Sequence, residues 1–155
     1  MEKSIYSSNE AKISHYLGVD FGRSKIGLAL ADDETRMAFA HDTFQNDKDF
    51  LGKLRDLVEQ KNVKTIVMGV TRYGGDEKSA DEKIEFGEMI ERELGIAVMF
   101  QDEMFTTKMA QENIKLRGGS NIAKDDDKEA ARIILQSFLD RNVKSYGKNI
   151  ISHES

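Results

Sequence analysis

The segment YLGVDFGRSKIGLALA, residues 16–31, decides the fold of this chain. It contains two short apolar runs, 16–20 and 26–31, of the kind that form β-strands. The sequence FGRSK, residues 21–25, lies between them and is typical of a turn. Two short strands joined by a turn predict an antiparallel hairpin, so we expect the ordered part of the chain to open with a hairpin.

The rest of the chain alternates between helical and strand patterns. Positions 50, 51, 54, 57 and 58 are apolar with the spacing of one helix face, and the run 64–70 resembles a strand covered on both faces. Asn62 and Gly95 are predicted to end helices. In chain order, the further predicted elements are a strand at 37–44, a helix at 48–61, a strand at 64–70, a helix at 79–94, a strand at 96–101 and helices at 106–116 and 126–141.

This order predicts an α/β fold with a mixed five-stranded sheet. The opening meander implies three antiparallel strands, and each later strand that follows a helix implies a parallel neighbour. Helices are expected on both faces of the sheet. The 155 residues suit one domain. We predict an N-terminal extension at 1–14, the domain at 15–141 and a polar C-terminal tail at 142–155.

The composition excludes several classes of protein. The chain has no cysteine, which excludes disulfides, thiolate catalysis and cysteine-based zinc sites. No apolar run approaches the roughly 18 residues that cross a bilayer, and the first residues lack the apolar region of a signal peptide. We therefore expect a cytoplasmic protein with no membrane partner. The net charge of −5 argues mildly against nucleic-acid binding, although a nuclease needs only a local basic patch.

Three carboxylates stand out by their positions in these elements: Asp20, Glu103 and Asp127. Asp20 ends the first strand, Glu103 follows the fifth, and Asp127 shares the apolar side of the last helix with Ala130 and Ala131. Each has another local interpretation. Asp20 suits a turn, Glu103 suits the positive end of a helix dipole, and Asp127 suits the start of a helix.

Two strand ends and one helix start can direct these three carboxylates at one point. Oxygen ligands of this kind suit hard divalent cations, Mg²⁺ or Mn²⁺, with a substrate phosphate completing the coordination. Two such ions about 4 Å apart can activate a water and stabilise the leaving oxygen during attack on phosphorus. The pattern therefore indicates metal-dependent phosphodiester chemistry that requires no serine or cysteine nucleophile.

Four segments of the chain resemble the YqgF/RuvX family, in the order that the family has them. The resemblance extends over roughly residues 16–140 and is specific because all four elements occur together. The segments are Leu17-Gly18-Val19-Asp20-Phe21-Gly22 with Ile26-Gly27-Leu28-Ala29; Ile66-Val67-Met68-Gly69-Val70; Asp102-Glu103 with Thr106-Thr107; and Asp127 with Ala130-Ala131-Arg132-Ile133-Ile134-Leu135-Gln136.

The resemblance implies an RNase H-like fold and a nuclease. The family is described either as maturing the 5′ end of pre-16S ribosomal RNA or as resolving Holliday junctions. Its metal ligands would correspond to Asp20, Glu103 and Asp127. The partner would be structured RNA or branched DNA, a choice that no short motif decides. Either a monomer or a homodimer is compatible with the sequence.

The chain departs from the family pattern at two places. Met104 stands where the family has Arg, and a neutral thioether cannot replace a fork of donors. Gly69-Val70-Thr71 replaces the family's Gly-Leu-Pro. Five basic residues are candidates for contacting nucleic-acid phosphates: Arg23, Lys25, Arg72, Lys108 and Lys124.

Two other functions are compatible with the same residues. Asp20-Phe21-Gly22 followed by Gly27 also resembles the first phosphate loop of sugar kinases and actin-like ATPases, although those proteins clamp ATP between two domains and this chain has the length of one. The other function is a non-catalytic nucleic-acid-binding module with a degenerate site, which Met104 and the acidic pI of about 5.3 favour.

Overall fold

The computed structural model describes residues 12–71, 77–102 and 126–154 of the chain. The predicted helix at 106–116 lies outside these residues. The elements in the described ranges, in chain order, are β1 (His15–Phe21), β2 (Lys25–Asp32), β3 (Phe39–Gln45), α1 (Phe50–Gln60), β4 (Val63–Val70), α2 (Glu77–Leu94), β5 (Ala97–Asp102) and α3 (Asp126–Glu154).

The strands form a five-stranded sheet in the order β3-β2-β1-β4-β5. β1 pairs antiparallel with β2, and β2 antiparallel with β3, whereas β4 lies parallel to both β1 and β5. The predicted mixed sheet is therefore confirmed. The register places Val19 opposite Met68, and Met68 opposite Phe100. The carboxyl ends of three parallel strands consequently meet at one edge of the sheet, directly beyond these residues.

One face of the sheet is covered by α1 and α2. Phe50, Leu54, Leu57 and Val58 of α1 are all buried, because the helical period places them on one side. They pack on strand residues that alternate toward this face, among them Leu17 and Val19 of β1. Complete burial of a leucine such as Leu54 stabilises the fold by roughly 1.5–3 kcal/mol.

The opposite face is covered by α3. Ala131, Ile134, Leu135 and Leu139 of the helix pack against Ala29, Ala31 and Val67 of the sheet. The strand residues here are small, so the helix lies close to the sheet. A Cβ atom at Gly18 would lie 2.7 Å from the carbonyl oxygen of Ala131 and 2.8 Å from Cβ of Leu135. Helices on both faces of the sheet are thus confirmed.

The helix ends follow the predicted signals in two of three cases. Asn62 and Gly95 take left-handed backbone conformations, with φ of 50° and 68°, directly after α1 and α2. The prediction that the last helix ends at Arg141 was wrong, because α3 continues to Glu154. The segment after Arg141 contains no proline, and a single Gly147 disfavours a helix by only about 1 kcal/mol.

β3 begins later than predicted, at Phe39 rather than Met37. The reason is that the backbone N–H of Ala38 donates to Oε1 of Gln136 in α3, at 2.8 Å, instead of to a neighbouring strand. Within the described residues, no helix has the length and apolar character needed to cross a membrane.

Candidate active site

Asp20 lies near the carboxyl end of β1, on the face that α3 covers. Side chains alternate along a strand, so Asp20 shares a face with Gly18, which contacts α3 directly. Its neighbours Val19 and Phe21 turn to the opposite face and pack in the core beneath α1 and α2. Asp20 is half-buried. Its carboxylate therefore starts from the centre of the sheet rather than from the tip of a loop.

Gly27 connects Asp20 to the start of α3. The antiparallel register places Asp20 opposite Gly27 of β2. A Cβ atom at Gly27 would lie 2.0 Å from the carbonyl oxygen of Asp127 and 2.8 Å from the amide nitrogen of Lys128. The first turn of α3 thus rests directly on the residue opposite Asp20. Opposite residues of antiparallel strands have Cα atoms about 4.5–5.5 Å apart, so Asp20 and Asp127 are near neighbours.

Asp127 is half-buried at the beginning of α3. The unpaired N–H groups of a first helical turn favour a nearby anion. The carboxylate oxygens of Asp20 and Asp127 are the hard donors that Mg²⁺ or Mn²⁺ prefers, so the two residues fit a metal of this class.

Glu103, the third predicted ligand, lies outside the described residues, one position beyond the end of β5. Within the described part of the chain, no three acidic or histidine side chains form a group that could hold a metal ion. The register nevertheless shows what lies beside the two aspartates. Gly69 pairs with Gln101, one residue beyond Met68, the residue opposite Val19. Asp20, Gly69 and Gln101 therefore lie side by side on β1, β4 and β5. The middle residue of the three, Gly69, has no side chain.

Sequence reasoning missed two buried polar residues of this face. Gln101 is 6% exposed and donates from Nε2 to Oγ of Ser137 in α3, at 3.2 Å. A polar residue at an inward position of a strand is a signal that could have indicated it. Glu129 is also 6% exposed and accepts a hydrogen bond from Nε of Arg132 at 2.7 Å. Nothing in the acidic sequence that begins at Asp125 distinguishes Glu129 from the other carboxylates beside it.

Two of the five basic candidates lie in the described residues, on the turn that follows Asp20. Lys25 is exposed at the start of β2, on the same face as Gly27. Arg23 is exposed and pairs with Glu82 of α2, with 2.8 Å between the guanidinium nitrogen and the carboxylate oxygen. Arg72, Lys108 and Lys124 lie outside the described residues, as does Met104.

His15 and His41, which could serve as general bases, lie away from the two aspartates. His15 pairs with Asp32 at the far end of β1, five residues from Asp20 and so about 17 Å distant along the strand. His41 belongs to the edge strand β3. Burial lowers the pKa of His41, with a smaller lowering from the Lys61 ammonium and an opposing effect of the Asp42 carboxylate. Neither position suits a proton transfer at Asp20.

Most of the chain is similar in sequence to known proteins. The family model described as RuvX, Holliday junction resolvase, matches residues 14–141. A protein of Dictyoglomus thermophilum named "Putative pre-16S rRNA nuclease" is 35% identical over 131 residues, which cover 80% of this chain and 94% of that protein. A protein of the same name from Syntrophus aciditrophicus is 37% identical over 133 residues, covering 80% and 87%.

Solved structures show the fold. A Thermus thermophilus RuvC in complex with a Holliday junction substrate superimposes with a TM-score of 0.57 at 12% identity, over 83% of this chain and 96% of that one. A fowlpox virus Holliday junction resolvase gives 0.50 at 14% identity, over 82% and 99%. The predicted RNase H-like fold is thereby confirmed.

Proposed function

Because this chain belongs to the RuvX family of Holliday junction resolvases, we propose that it is a nuclease that hydrolyses phosphodiester bonds with the help of divalent metal ions. Its proposed substrate is the 5′ extension of pre-16S ribosomal RNA. The relatives that are 35% and 37% identical are both named "Putative pre-16S rRNA nuclease". The proposed setting is ribosome biogenesis in the cytoplasm.

The observation that carries this proposal is the contact between Gly27 and the backbone of Asp127. It holds the start of α3 against Gly27, the residue opposite Asp20, and so supports a site to which Asp20 and Asp127 both contribute. In this proposal the two carboxylates hold a cation, and the family membership supplies the reaction.

We propose Asp20, Glu103 and Asp127 as the catalytic residues and as ligands of Mg²⁺ or Mn²⁺. Bound there, the metal would supply Lewis acidity and a water activated at neutral pH. The residues of the chain orient the reactants. Asp20 would provide an oxygen donor from the sheet, and Asp127 would provide a second from α3.

The proposed nucleic-acid contacts are Arg23, Lys25, Arg72, Lys108 and Lys124. Lys25 supports this role best, because it is exposed on the same face as Gly27 and hence beside the start of α3. An ammonium at this position attracts the backbone phosphate that approaches the two aspartates. For the oligomeric state, both a monomer and a homodimer remain compatible with the proposal.

The family description favours a second candidate substrate, the four-way DNA junction. One experiment tests both substrates. The purified protein is incubated with a 5′-extended pre-16S RNA and with a four-way DNA junction, each in Mg²⁺, Mn²⁺ or EDTA, beside Asp20→Asn and the exposed control Asp56→Asn on α1.

Metal-dependent cleavage of the RNA by wild type and Asp56→Asn, and not by Asp20→Asn, is the expected result. Cleavage of the junction alone would replace RNA by DNA as the substrate. If neither substrate is cut by a folded protein, the nuclease proposal is wrong, and a non-catalytic binding module with Met104 in a degenerate site takes its place.

A further inference from the structure

The end of β1 and the turn that follows it contact α2 through two pairs of side chains. The rings of Phe21 and Phe86 lie 4.4 Å apart between centroids. One turn of helix earlier, Glu82 accepts a hydrogen bond from the guanidinium of Arg23 at 2.8 Å. The aromatic contact fixes the turn against the helix, and the ion pair lies at its outer, hydrated side.

The ion pair is weak enough to exchange. The side chain of Arg23 is 74% exposed and that of Glu82 is 36% exposed. Exposed pairs of this kind contribute about 0.2–1 kcal/mol, because water competes for both charges. A guanidinium binds a phosphate with the same donors that it offers to a carboxylate. A phosphate at this position would therefore compete with Glu82 directly.

Arg23 lies on the path to the two aspartates. It follows Asp20 by three residues, so their Cα atoms are at most about 10 Å apart. Asp20 turns toward α3, whereas the Arg23 pair lies on the α2 side. A polynucleotide that crosses the carboxyl edge of the sheet from α3 to α2 would place a phosphate at each.

We propose that Glu82 is a competing anion for Arg23: it holds the guanidinium in the free protein, and a backbone phosphate of the bound nucleic acid takes its place. This inference rests on the proposed function for its ligand class, and it adds the direction in which the strand leaves the site. Glu82 therefore weakens the binding of a ligand that has a phosphate at this position. It weakens the binding of a ligand without that phosphate to a smaller extent.

The test is a double-mutant cycle measured as binding. The Kd of a fluorescein-labelled single-stranded RNA that spans the 5′ end of 16S rRNA is measured in EDTA, over a range of salt concentrations, for wild type, Arg23→Gln, Glu82→Gln and the double variant. Glu85→Gln is the matched control, because Glu85 is exposed on the same helix and its loss changes the net charge equally.

We expect Glu82→Gln to tighten binding by up to about fivefold, the size of one exposed ion pair, and Glu85→Gln to have a clearly smaller effect. In the Arg23→Gln background, Glu82→Gln should act no more strongly than Glu85→Gln. Arg23→Gln itself should lower the salt dependence of RNA binding. The expected change is that of one phosphate contact, about 0.7 in the slope of the logarithm of the binding constant against the logarithm of the salt concentration.

Equal effects of Glu82→Gln in both arginine backgrounds would overturn the proposal, because they would reflect general charge rather than competition. The cleavage assay in Mg²⁺ separates this result from the fate of the nuclease. Cleavage without coupling between the two residues rejects the competing anion alone, and coupling without cleavage rejects the nuclease alone. Absence of RNA binding in every variant rejects the competing anion, whereas the nuclease is still decided by the cleavage assay.

Discussion

Gly27 and Asp127 are in backbone contact, although they lie in different elements and are a hundred positions apart in the chain. A Cβ atom on the glycine would lie 2.0 Å from the carbonyl oxygen of the aspartate, well inside the sum of the van der Waals radii. Only the absence of a side chain permits this contact. The contact in turn sets how close the start of α3 lies to Gly27, which is the β2 residue opposite Asp20.

Gly27→Ala is expected to separate the two aspartates. The added methyl group must push the start of α3 away from the sheet, because the clash is with backbone, which cannot rotate aside. Overpacking typically costs 1–3 kcal/mol, so we expect about 2–3 kcal/mol of destabilisation in urea unfolding, together with loss of cleavage. Gly52→Ala is the control. Gly52 has open space around it in α1, and alanine should stabilise the helix by about 0.5–1 kcal/mol.

Asp20→Asn, Glu103→Gln and Asp127→Asn are each expected to abolish cleavage without unfolding the domain. Loss of a residue that merely supports a metal ligand lowers activity 10–100-fold, so loss of a ligand should cost on the order of 100-fold or more in kcat/KM. The thermal unfolding temperature of the metal-free variants should equal or exceed that of wild type, since repulsion between carboxylates is reduced. Wild-type rates in any one variant would remove that residue from the site.

Divalent metal is expected to stabilise the wild-type protein independently of any substrate. A ligand that binds only the folded state at a hundred times its Kd adds about 2.7 kcal/mol to the free energy of unfolding. Thermal unfolding with increasing Mn²⁺ should therefore show a rising midpoint for wild type and for Asp56→Asn. A midpoint that rises equally in Asp20→Asn would show that the cation binds elsewhere.

Gln101→Met is expected to destabilise the contact between β5 and α3. The methionine retains the length of the side chain but cannot donate to Ser137, whose hydroxyl then loses a buried partner. The cost should be about 1–2 kcal/mol in urea unfolding. Ser137→Ala in the Gln101→Met background should cost much less than in wild type. Additive costs would mean that the two residues do not interact.

The Asp32 carboxylate is expected to stabilise the fold only at pH values above the range in which it titrates. Hydrogen bonds from Thr35, through its backbone N–H and its hydroxyl, and from the backbone N–H of Glu34 lower the pKa of the Asp32 carboxyl. A carboxyl whose pKa is lower when folded stabilises the protein above the unfolded pKa of about 3.9 and ceases to do so as the pH falls.

The measurement for Asp32 is the free energy of unfolding at pH 7 and at pH 3.5 for wild type and Asp32→Ala. The difference between the two proteins should be larger at pH 7. An equal or larger difference at pH 3.5 would contradict the assigned hydrogen bonds. Asp56→Asn serves as the comparison, since its exposed carboxyl lies on the outer side of α1.

The sequence allowed the sheet and one face of the site to be predicted because both depend on periodicity. The apolar run that ends at Asp20 assigns this residue to the end of a strand, and the helical period assigns Asp127 to the side of Ala131. The buried Glu129 and the pairing of Arg23 with Glu82 leave no periodic signal. That pair joins residues 59 positions apart through the ends of flexible side chains, a relation that only the folded chain defines.

The alternation along β1 makes the position of Asp20 depend on the length of this strand. Asp20 turns toward α3 while its neighbours Val19 and Phe21 turn toward the opposite core. One residue inserted between Leu17 and Asp20 would exchange the two faces, so that a phenyl ring enters the site and a carboxylate enters the hydrophobic core. A change of length within β1 would therefore remove Asp20 from the site even if every other residue stayed the same.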